Sequence, residues 1–502
     1  MIPGRVLKRR GVLLVAIGLL LAASFLSPRV VPYDMDEFVA YHPLGCALYP
    51  LSRLNVYRER CGEYALSPPL FGGSLPLRSY LYIGSLPVVP YAPFFALLKD
   101  PVSVRVQGMV FLLLSVLLMG RILDASWASV AAAVALFPVF PAAFLVDTGP
   151  VGLSIVFLLT SLLALKRGLG GGASGPYGLL AGVLFFCGVF VKLVFFWCLP
   201  GCLVLAAYWA SSSKDPARTR RAVATLGWAA LALGLLASFL LFSRTVKGDL
   251  YLDVLSRAGM STDPEEVGSV AFGLTSYLTN AGLVLPRILS FPRSILDLLP
   301  ALVALAILAR GLREPEARAF LLGSLATFLV TDLSTRATEA HHAAYFLLFL
   351  VLALGRILAG WPRAAAGVAL AALVVWGSLA FRLPRAEVDP RRSFEKDALL
   401  REIRAEGLDE QALVLHASWG TYYIAHLFGG PKNAELFSRK FLTDEAMLRE
   451  VASEAHRLGR GVLLVTRKPD KLEVAEEVLG PPRRILKEGS WWGVLFAPEG
   501  TR

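Results

Sequence analysis

The residues most able to do chemistry are the carboxylates Asp36 and Glu37, in the acidic run Asp34-Met35-Asp36-Glu37. This run follows directly on the first apolar segment of membrane length, residues 11–27. Carboxylates beside hydrocarbon are costly and usually serve ion, proton or substrate chemistry. At a water-poor interface, a carboxylate is suited to act as a general base that takes a proton from a hydroxyl group. The alternative is a solvated turn or a helix cap, in which Asp34 accepts hydrogen bonds from backbone N–H groups.

A third carboxylate, Asp147, opens the run Asp147-Thr148-Gly149-Pro150 between two apolar segments. It could join the first two at one site, or it could be only the N-cap of the following helix. The histidines His341 and His342 stand at the entry of a late apolar segment. They could bind a ligand or form hydrogen bonds at the interface, and two imidazoles alone do not specify a metal site.

Basic residues predicted on the same membrane face could bind an anionic group such as a phosphate. Arg suits this role because its planar fork can contact two oxygens. Each could equally be an anchor that places its charge among the headgroups. The candidates are Arg78, Lys192, Arg244, Arg293 and Arg336.

The elements that must position these residues are membrane spans. The chain has 502 residues, of which 56% are hydrophobic and 18% are charged, and its mean hydropathy is +0.60. Soluble globular proteins are far less apolar, so the sequence indicates a polytopic α-helical membrane protein. The net charge of +12 lies almost wholly before residue 382, which indicates basic cytoplasmic loops and argues against nucleic-acid binding.

Apolar segments paired with basic loops predict about eleven spans, with the N-terminus in the cytoplasm. Basic residues precede the first apolar run, so the start could be a cleaved signal peptide or a retained anchor, and the run of about 17 residues favours the anchor because it is long for a signal peptide. The segment 177–210 lies between two basic loops, so it is predicted to cross twice, as short helices that meet near Lys192 at the outer face. The predicted spans are 11–27, 104–123, 127–146, 151–165, the two within 177–210, 222–242, 293–308, 319–330, 343–358 and 364–381.

This order predicts a transmembrane domain, 1–381, and a C-terminal domain, 382–502, which the odd number of spans places outside the cytoplasm. The long outer loop 28–103 carries the acidic run. Within this loop, the stretch 75–98 is apolar but interrupted by prolines, which indicates helices lying in or re-entering the interface.

The C-terminal domain is predicted to be a small α/β domain, because strand and helix patterns alternate along it. The predicted strands are 412–416, 461–466 and 491–497, and the predicted helices are 444–458 and 471–479.

The five cysteines fall into two groups. Cys187, Cys198 and Cys202 lie in apolar segments and are interpreted as small buried hydrophobic residues. Cys46 and Cys61 flank a polar stretch of the outer loop, where a disulfide between them is plausible and free thiols are the alternative.

The order of these features resembles that of the GT-C glycosyltransferases. One span precedes an Asp-Glu pair in a long outer loop, here within Tyr33-Asp34-Met35-Asp36-Glu37-Phe38. Asp147 before a later span, Lys192 between two short helices, the run His341-His342-Ala343-Ala344-Tyr345 and an outer C-terminal domain also match. Within these enzymes the chain is most similar to the protein O-mannosyltransferase and aminoarabinose transferase group.

The resemblance implies a hexosyl- or pentosyltransferase that moves a sugar from a polyprenyl-phosphate carrier to an acceptor, with inversion at the anomeric carbon. Asp36 would be the base, with Glu37 and Asp147 orienting the acceptor or supporting the site. One motif departs from the pattern. Aminoarabinose transferases carry a Lys-Pro pair before the first interfacial helix, whereas this chain reads Leu75-Pro76-Leu77-Arg78, so Arg78 could take over the phosphate contact.

The expected partners are the lipid-linked sugar, the bilayer and a glycan, lipid or protein acceptor. No cofactor is expected, although the three carboxylates could in principle hold a divalent metal. Composition suggests a bacterial inner membrane, with the C-terminal domain in the periplasm, and an archaeal membrane is the alternative. Two other classes stay open: a transporter or flippase, which internal repeats would favour, and a non-catalytic assembly protein for envelope glycans.

Overall fold

The structure is a computed structural model, and it describes two compact units. The motif unit comprises Met1–Tyr80, Gly84–Val106 and Val388–Arg502, and the helical unit comprises Leu81–Ile83 and Gln107–Glu387. Helix α4 (Val102–Leu123) begins in the first and continues in the second. The described residues are 26, 33, 35–48, 65–66, 75–76, 78–80, 83–137, 139–145, 150–171, 173–212, 216–245, 295–334, 340–361, 390–428, 435–437, 443–469 and 472–497.

Short elements precede α4 in the chain. They are α1 (Met35–Val39), α2 (His42–Leu48), β1 (Ala65–Leu66), β2 (Leu75–Pro76), β3 (Arg78–Tyr80), β4 (Ile83–Gly84) and α3 (Val88–Leu98). Within the predicted stretch 75–98, the helix α3 is present, whereas residues 75–76, 78–80 and 83–84 form short strands; the placement of α3 in the membrane interface stays a prediction. Pro76 lacks the N–H that a helix interior requires, and here it pairs with Ala65 at the end of an antiparallel strand. Helix α3 ends at Lys99, which takes the left-handed conformation with φ 47°.

The C-terminal part of the motif unit is a five-stranded sheet with helices on both faces. Its elements are α14 (Pro390–Ala405), α15 (Leu408–Gln411), β5 (Ala412–His416), α16 (Trp419–Phe428), β6 (Glu435–Phe437), α17 (Glu445–Arg457), β7 (Gly461–Thr466), α18 (Glu473–Leu479), β8 (Pro482–Glu488) and β9 (Trp491–Phe496). The strand order is β6-β5-β7-β9-β8. β5 is parallel to both β6 and β7, whereas β9 is antiparallel to β7 and β8.

Strand β7 shows why this sheet is buried on both faces. Val462 and Leu464 pack into one apolar cluster with residues of α17, and Leu463 and Val465 pack into another with residues of α14. Alternating residues of a strand point to opposite faces, so a strand covered on both sides is a continuous apolar run.

The predicted strands at 412–416 and 461–466 are confirmed, and the third predicted strand ends one residue early, at Phe496. Helix α17 is confirmed within 444–458, with the Asp444 side chain accepting a hydrogen bond from the Met447 backbone N–H at 3.1 Å. α18 starts two residues later than predicted. Five elements were not predicted from the sequence: α14, α15, α16, β6 and β8. β8 is an edge strand rich in exposed basic residues, so it lacks the apolar alternation of a buried strand.

The helical unit consists of packed apolar helices. After α4 come α5 (Trp127–Ala135), α6 (Val139–Leu145), α7 (Val151–Leu169), α8 (Ser174–Val191), α9 (Leu199–Ser212), α10 (Arg218–Thr245), α11 (Ile295–Gly311), α12 (Pro315–Ser334) and α13 (Ala340–Ala359). α8 packs closely against α10 because Gly178 and Gly182 carry no Cβ. A Cβ at either glycine would lie 2.3 Å from a backbone oxygen of α10, which is the close approach that small residues permit between membrane helices.

Five described helices are long and apolar enough to cross a membrane: Val102–Leu123, Val151–Leu169, Ser174–Val191, Phe195–Ser212 and Arg218–Ser238. These match predicted spans. The predicted span 127–146 is instead two shorter helices, α5 and α6, and the sequence places Pro138 at their junction, where a continuing helix would lose a hydrogen bond. The predicted spans 11–27 and 364–381 lie essentially outside the described residues, so the tally of eleven stays a prediction.

Candidate functional site

The acidic pair sits on the short helix α1, in the motif unit. Glu37 is fully buried, and Arg105 from the start of α4 donates to both of its carboxylate oxygens, from Nε at 3.1 Å and from Nη2 at 3.0 Å. Such two-point pairing fixes direction as well as distance. The backbone of Asp36 lies in α1 beside Glu37, and its side chain falls outside the described atoms.

Tyr33 precedes α1 in the chain, and both its ring and its backbone are held by other residues. The Arg105 guanidinium lies over its ring, 4.4 Å from the centroid, and the Phe38 ring meets it edge-on at 5.6 Å. Its backbone is held by two adjacent residues of α14: Asp397 Oδ2 accepts from the Tyr33 N–H at 3.1 Å, and Lys396 Nζ donates to the Tyr33 carbonyl at 2.7 Å.

Burial dominates the electrostatics around Tyr33. It raises the pKa of the Tyr33 phenol above its usual range, so the phenol is neutral at physiological pH. Burial also raises the pKa of Asp397, against the opposing effect of the neighbouring Lys396 cation. Tyr33, Glu37 and Phe38 are thus largely withdrawn from water.

A cavity of about 450 Å³ borders Tyr33. It brings carboxylates, guanidinium groups and aromatic rings to one space, a combination that can hydrogen-bond a polar ligand and cover its apolar faces. The lining residues are Tyr33, Leu98, Asp100, Pro101, Val102, Phe394, Asp397, Leu400, Arg401, Arg404 and Ile424.

A buried cluster of histidines lies near α2. The ligand atoms of His42, Cys46 and His426 lie within 4.8 Å of one another, and His42 Nε2 is 3.2 Å from the Tyr422 hydroxyl. Cys46 is disulfide-bonded, so its sulfur is not the thiolate that zinc prefers. The partner that the sequence predicts, Cys61, lies outside the described residues. Burial and the neighbouring His416 lower the pKa of His426 to about 4, which keeps this imidazole neutral.

Lys192 marks the predicted break between two short helices of the helical unit, and the break is confirmed. α8 ends there, Lys192 is extended with φ −150° and ψ 116°, and a 3₁₀ helix, Leu193–Cys198, follows. Gly188 allows this reversal, because a Cβ there would lie 2.6 Å from the Phe195 ring. Lys192 is only 2% exposed, and a buried ammonium group is the kind of cation that functional sites retain.

Of the other predicted site residues, some have only their backbone described, and the rest lie outside the described residues. Arg78 lies in β3, Arg244 in the last turn of α10, and His341 and His342 in the first turn of α13, with side chains outside the described atoms. Three more fall outside the described residues: Asp147, Arg293 and Arg336. The convergence of these residues with Asp36 therefore stays a prediction.

Sequence reasoning missed Arg105, Lys396 and Asp397. Arg105 carried a usable signal, because it is one of two arginines in the apolar run 104–123, and an ionisable group in a predicted span usually has a function. Lys396 and Asp397 carried none, since they belong to a charged helix whose sequence does not indicate which face contacts residue 33.

The long apolar helices define a multi-pass α-helical membrane protein, and the similarity to solved structures that follows gives it the GT-C fold. Among solved structures, the chain is similar to ArnT from Cupriavidus metallidurans bound to undecaprenyl phosphate, with a TM-score of 0.61 and 13% identity over 97% of this chain and 98% of that one. The apo state of ArnT gives 0.59 and 12% over the same shares. No protein-family model matches the chain, and neither does any curated protein sequence. At this identity the likeness is one of fold.

Proposed function

We propose that this protein is a membrane glycosyltransferase that moves one sugar from a polyprenyl-phosphate carrier to an acceptor on the extracytoplasmic side, with inversion at the anomeric carbon. The observation that carries the proposal is the fold similarity, over 97% of the chain, to ArnT bound to undecaprenyl phosphate. The carrier is a lipid, and the apolar helices provide the environment in which such a lipid diffuses.

In the proposed reaction, Asp36 is the general base. Its carboxylate takes the proton of an acceptor hydroxyl while that oxygen forms a bond to the anomeric carbon from the face opposite the phosphate. The bond between the anomeric carbon and the phosphate oxygen breaks, and its electron pair leaves with polyprenyl phosphate. A single displacement of this kind inverts the anomeric centre.

Glu37 acts in this scheme as a positioning residue. Its carboxylate is saturated by Arg105 and fully buried, so it cannot readily exchange protons with an acceptor. The Glu37–Arg105 ion pair fixes helix α1, and Asp36 is the residue just before Glu37 on this helix. Reacting groups must be held close to their productive geometry, because a misplacement of about 1 Å can lower the rate by about 100-fold.

The leaving phosphate requires cations. We assign this role to the basic residues singled out from the sequence, with Lys192 the best supported because it is buried at a helix break. Arg78, Arg244, Arg293 and Arg336 are the further candidates, with His341 and His342 near the donor sugar and Asp147 supporting the acceptor. No step of the scheme uses a metal or an organic cofactor.

The proposed surroundings follow from the topology predicted by the basic loops. The protein would lie in a bacterial inner membrane, with the N-terminus in the cytoplasm and residues 382–502 in the periplasm. The cavity beside Tyr33 would then open to the side on which a glycan, lipid or protein acceptor is available.

Reconstitution tests the function directly. Purified protein in liposomes receives polyprenyl-phosphate hexoses and pentoses with a labelled sugar, together with a membrane extract as the source of acceptors. The proposal expects labelled sugar on an acceptor, and NMR of the product should show the inverted anomer. Movement of the labelled lipid across the bilayer without transfer would identify a flippase. If neither transfer nor movement is observed, the result favours an assembly protein.

Asp36→Asn is the decisive variant in this assay. The amide cannot take a proton, so transfer should fall by about 100- to 10,000-fold, while the amount of folded protein in the membrane stays that of the wild type. Unchanged transfer in Asp36→Asn would remove this residue from the mechanism.

A further inference from the structure

The C-terminal part of the motif unit forms hydrogen bonds to the backbone of Tyr33, three residues before Asp36. Lys396 and Asp397, consecutive residues of α14, hold the carbonyl and the N–H of Tyr33 at 2.7 Å and 3.1 Å. We call this arrangement the Tyr33 clamp. Both backbone polar groups of one residue are thereby fixed by one helix turn, which removes the freedom of the chain to rotate at that point.

The charges of the clamp are largely removed from water. The Lys396 side chain is 5% exposed and that of Asp397 14%, with Lys396 Nζ 3.5 Å from Asp397 Oδ1. Buried ion pairs contribute little net stability, and where they are retained they can instead select one geometry. Apolar replacement of a buried ion pair is often neutral for stability, but apolar side chains could not hold a backbone N–H and a backbone carbonyl together.

The same domain also contacts the far end of the segment. Phe428, at the end of α16, meets the Phe38 ring edge-on with centroids 5.8 Å apart. Residues 33 and 38 are therefore both held from the C-terminal side, and the Arg105–Glu37 pair holds the helix between them. Asp36 lies inside this three-point support.

We infer that Lys396 and Asp397 are positioning residues for sugar transfer: the C-terminal domain sets the place of Asp36 through the Tyr33 clamp. The inference rests on the proposed function and adds a role for residues 382–502. The domain acts on the catalytic step itself, and it does more than bind an acceptor or a partner.

The test uses full-length protein in liposomes and a graded set of variants. Lys396→Met keeps the aliphatic stem and removes the donor, whereas Lys396→Arg keeps a cation. Asp397→Ala removes the acceptor, whereas Asp397→Asn keeps an oxygen that the Tyr33 N–H can reach. Glu395→Ala is the matched control, because Glu395 precedes the clamp on α14 and accepts from the Ser490 N–H and hydroxyl, both at 2.9 Å, inside the C-terminal domain.

The expected result separates kcat from KM. Lys396→Met and Asp397→Ala should lower kcat by about 10- to 100-fold and leave the KM for the lipid donor within about twofold, because the donor is bound elsewhere. Lys396→Arg and Asp397→Asn should retain most of the activity. Glu395→Ala should keep wild-type kcat even where it lowers the melting temperature. If Glu395→Ala and Lys396→Met reduce kcat equally, or Lys396→Met leaves it unchanged, the inference is wrong.

Hydrogen exchange of the peptide containing residues 33–39 gives a second readout that does not require transfer. Asp397→Ala should speed exchange at the Tyr33 amide, and Glu395→Ala should not. Unchanged exchange in Asp397→Ala would refute the clamp even in an active enzyme. If Asp397→Ala speeds exchange but the wild-type protein transfers no sugar, the proposed function is refuted. The clamp then exists, but it has no role in sugar transfer.

Discussion

Two Glu–Arg ion pairs of the motif unit contain the same charged groups but have different structural roles. Arg105 and Glu37 are separated by 68 residues and both are 0% exposed, whereas Arg449 and Glu445 are four residues apart on α17 with side chains 71% and 55% exposed. The first joins two elements that are distant in the chain, and the second joins two turns of one helix. Burial and separation, and not the type of charge, decide which pair can fix the shape of a site.

The buried pair should give the larger effect when broken. Arg105→Met leaves the Glu37 carboxylate buried without its cation, which should lower the free energy of unfolding by about 3–5 kcal/mol. Thermal unfolding in detergent measures this loss. A change below about 1 kcal/mol would mean that water reaches Glu37 and that the pair does not order α1.

The double variant Glu37→Leu/Arg105→Met sharpens the comparison. Replacing a whole buried ion pair by apolar side chains is often neutral for stability, so most of the lost stability should return. Sugar transfer should be low in both Arg105→Met and the double variant, because α1 has lost its directional support in each. If transfer returned together with stability, the pair would be structural only.

A buried group without a charge gives an intermediate case. The pKa of His426 is about 4 when folded and about 6.5 when unfolded, so the unfolded state binds the proton more readily. The stability from neutral His426 is fully present above pH 6.5 and is lost as the pH falls towards 4, by about 3 kcal/mol.

Unfolding measured from pH 7.5 to 4.5 tests this sign. The wild type should lose more stability than His426→Gln over this range, because Gln takes up no proton. His456→Gln, which changes an exposed histidine of α17, should follow the wild type. Parallel curves for wild type and His426→Gln would show that His426 is already hydrated in the folded state.

The exposed pair should give the smallest effect. Arg449→Ala should change the free energy of unfolding by less than about 0.5 kcal/mol and leave kcat unchanged, because solvent screens this local pair. Urea unfolding and the transfer assay measure both. A loss as large as that of Arg105→Met would remove the distinction between the two pairs.

The sequence predicted what depends on local patterns. Apolar runs located most of the described helices, and the basic loops around 177–210 located the break at Lys192. The sequence also indicated Asp36 and Glu37 as candidate catalytic residues. It could not predict that Glu37 faces Arg105, because nothing in either segment indicates the other.

Edges and long-range contacts escaped prediction for physical reasons. β8 is charged because it lies at the sheet edge, and strand patterns are defined by buried faces. Lys396 and Asp397 look like ordinary solvated charges in a helix of mixed polarity, and only the fold turns them towards Tyr33. The break between α5 and α6 was readable from Pro138, but the apolar run around it favoured one span.

The clamp also has a consequence for biogenesis. Tyr33 and the two residues that hold it are 363 and 364 positions apart in the chain. At about 5–20 residues per second, a ribosome needs roughly 20–70 s to add them after Tyr33. A nascent chain thus enters the bilayer without the Tyr33 clamp, and on our proposal it stays inert towards lipid-linked sugars until its last domain has been exported and has folded.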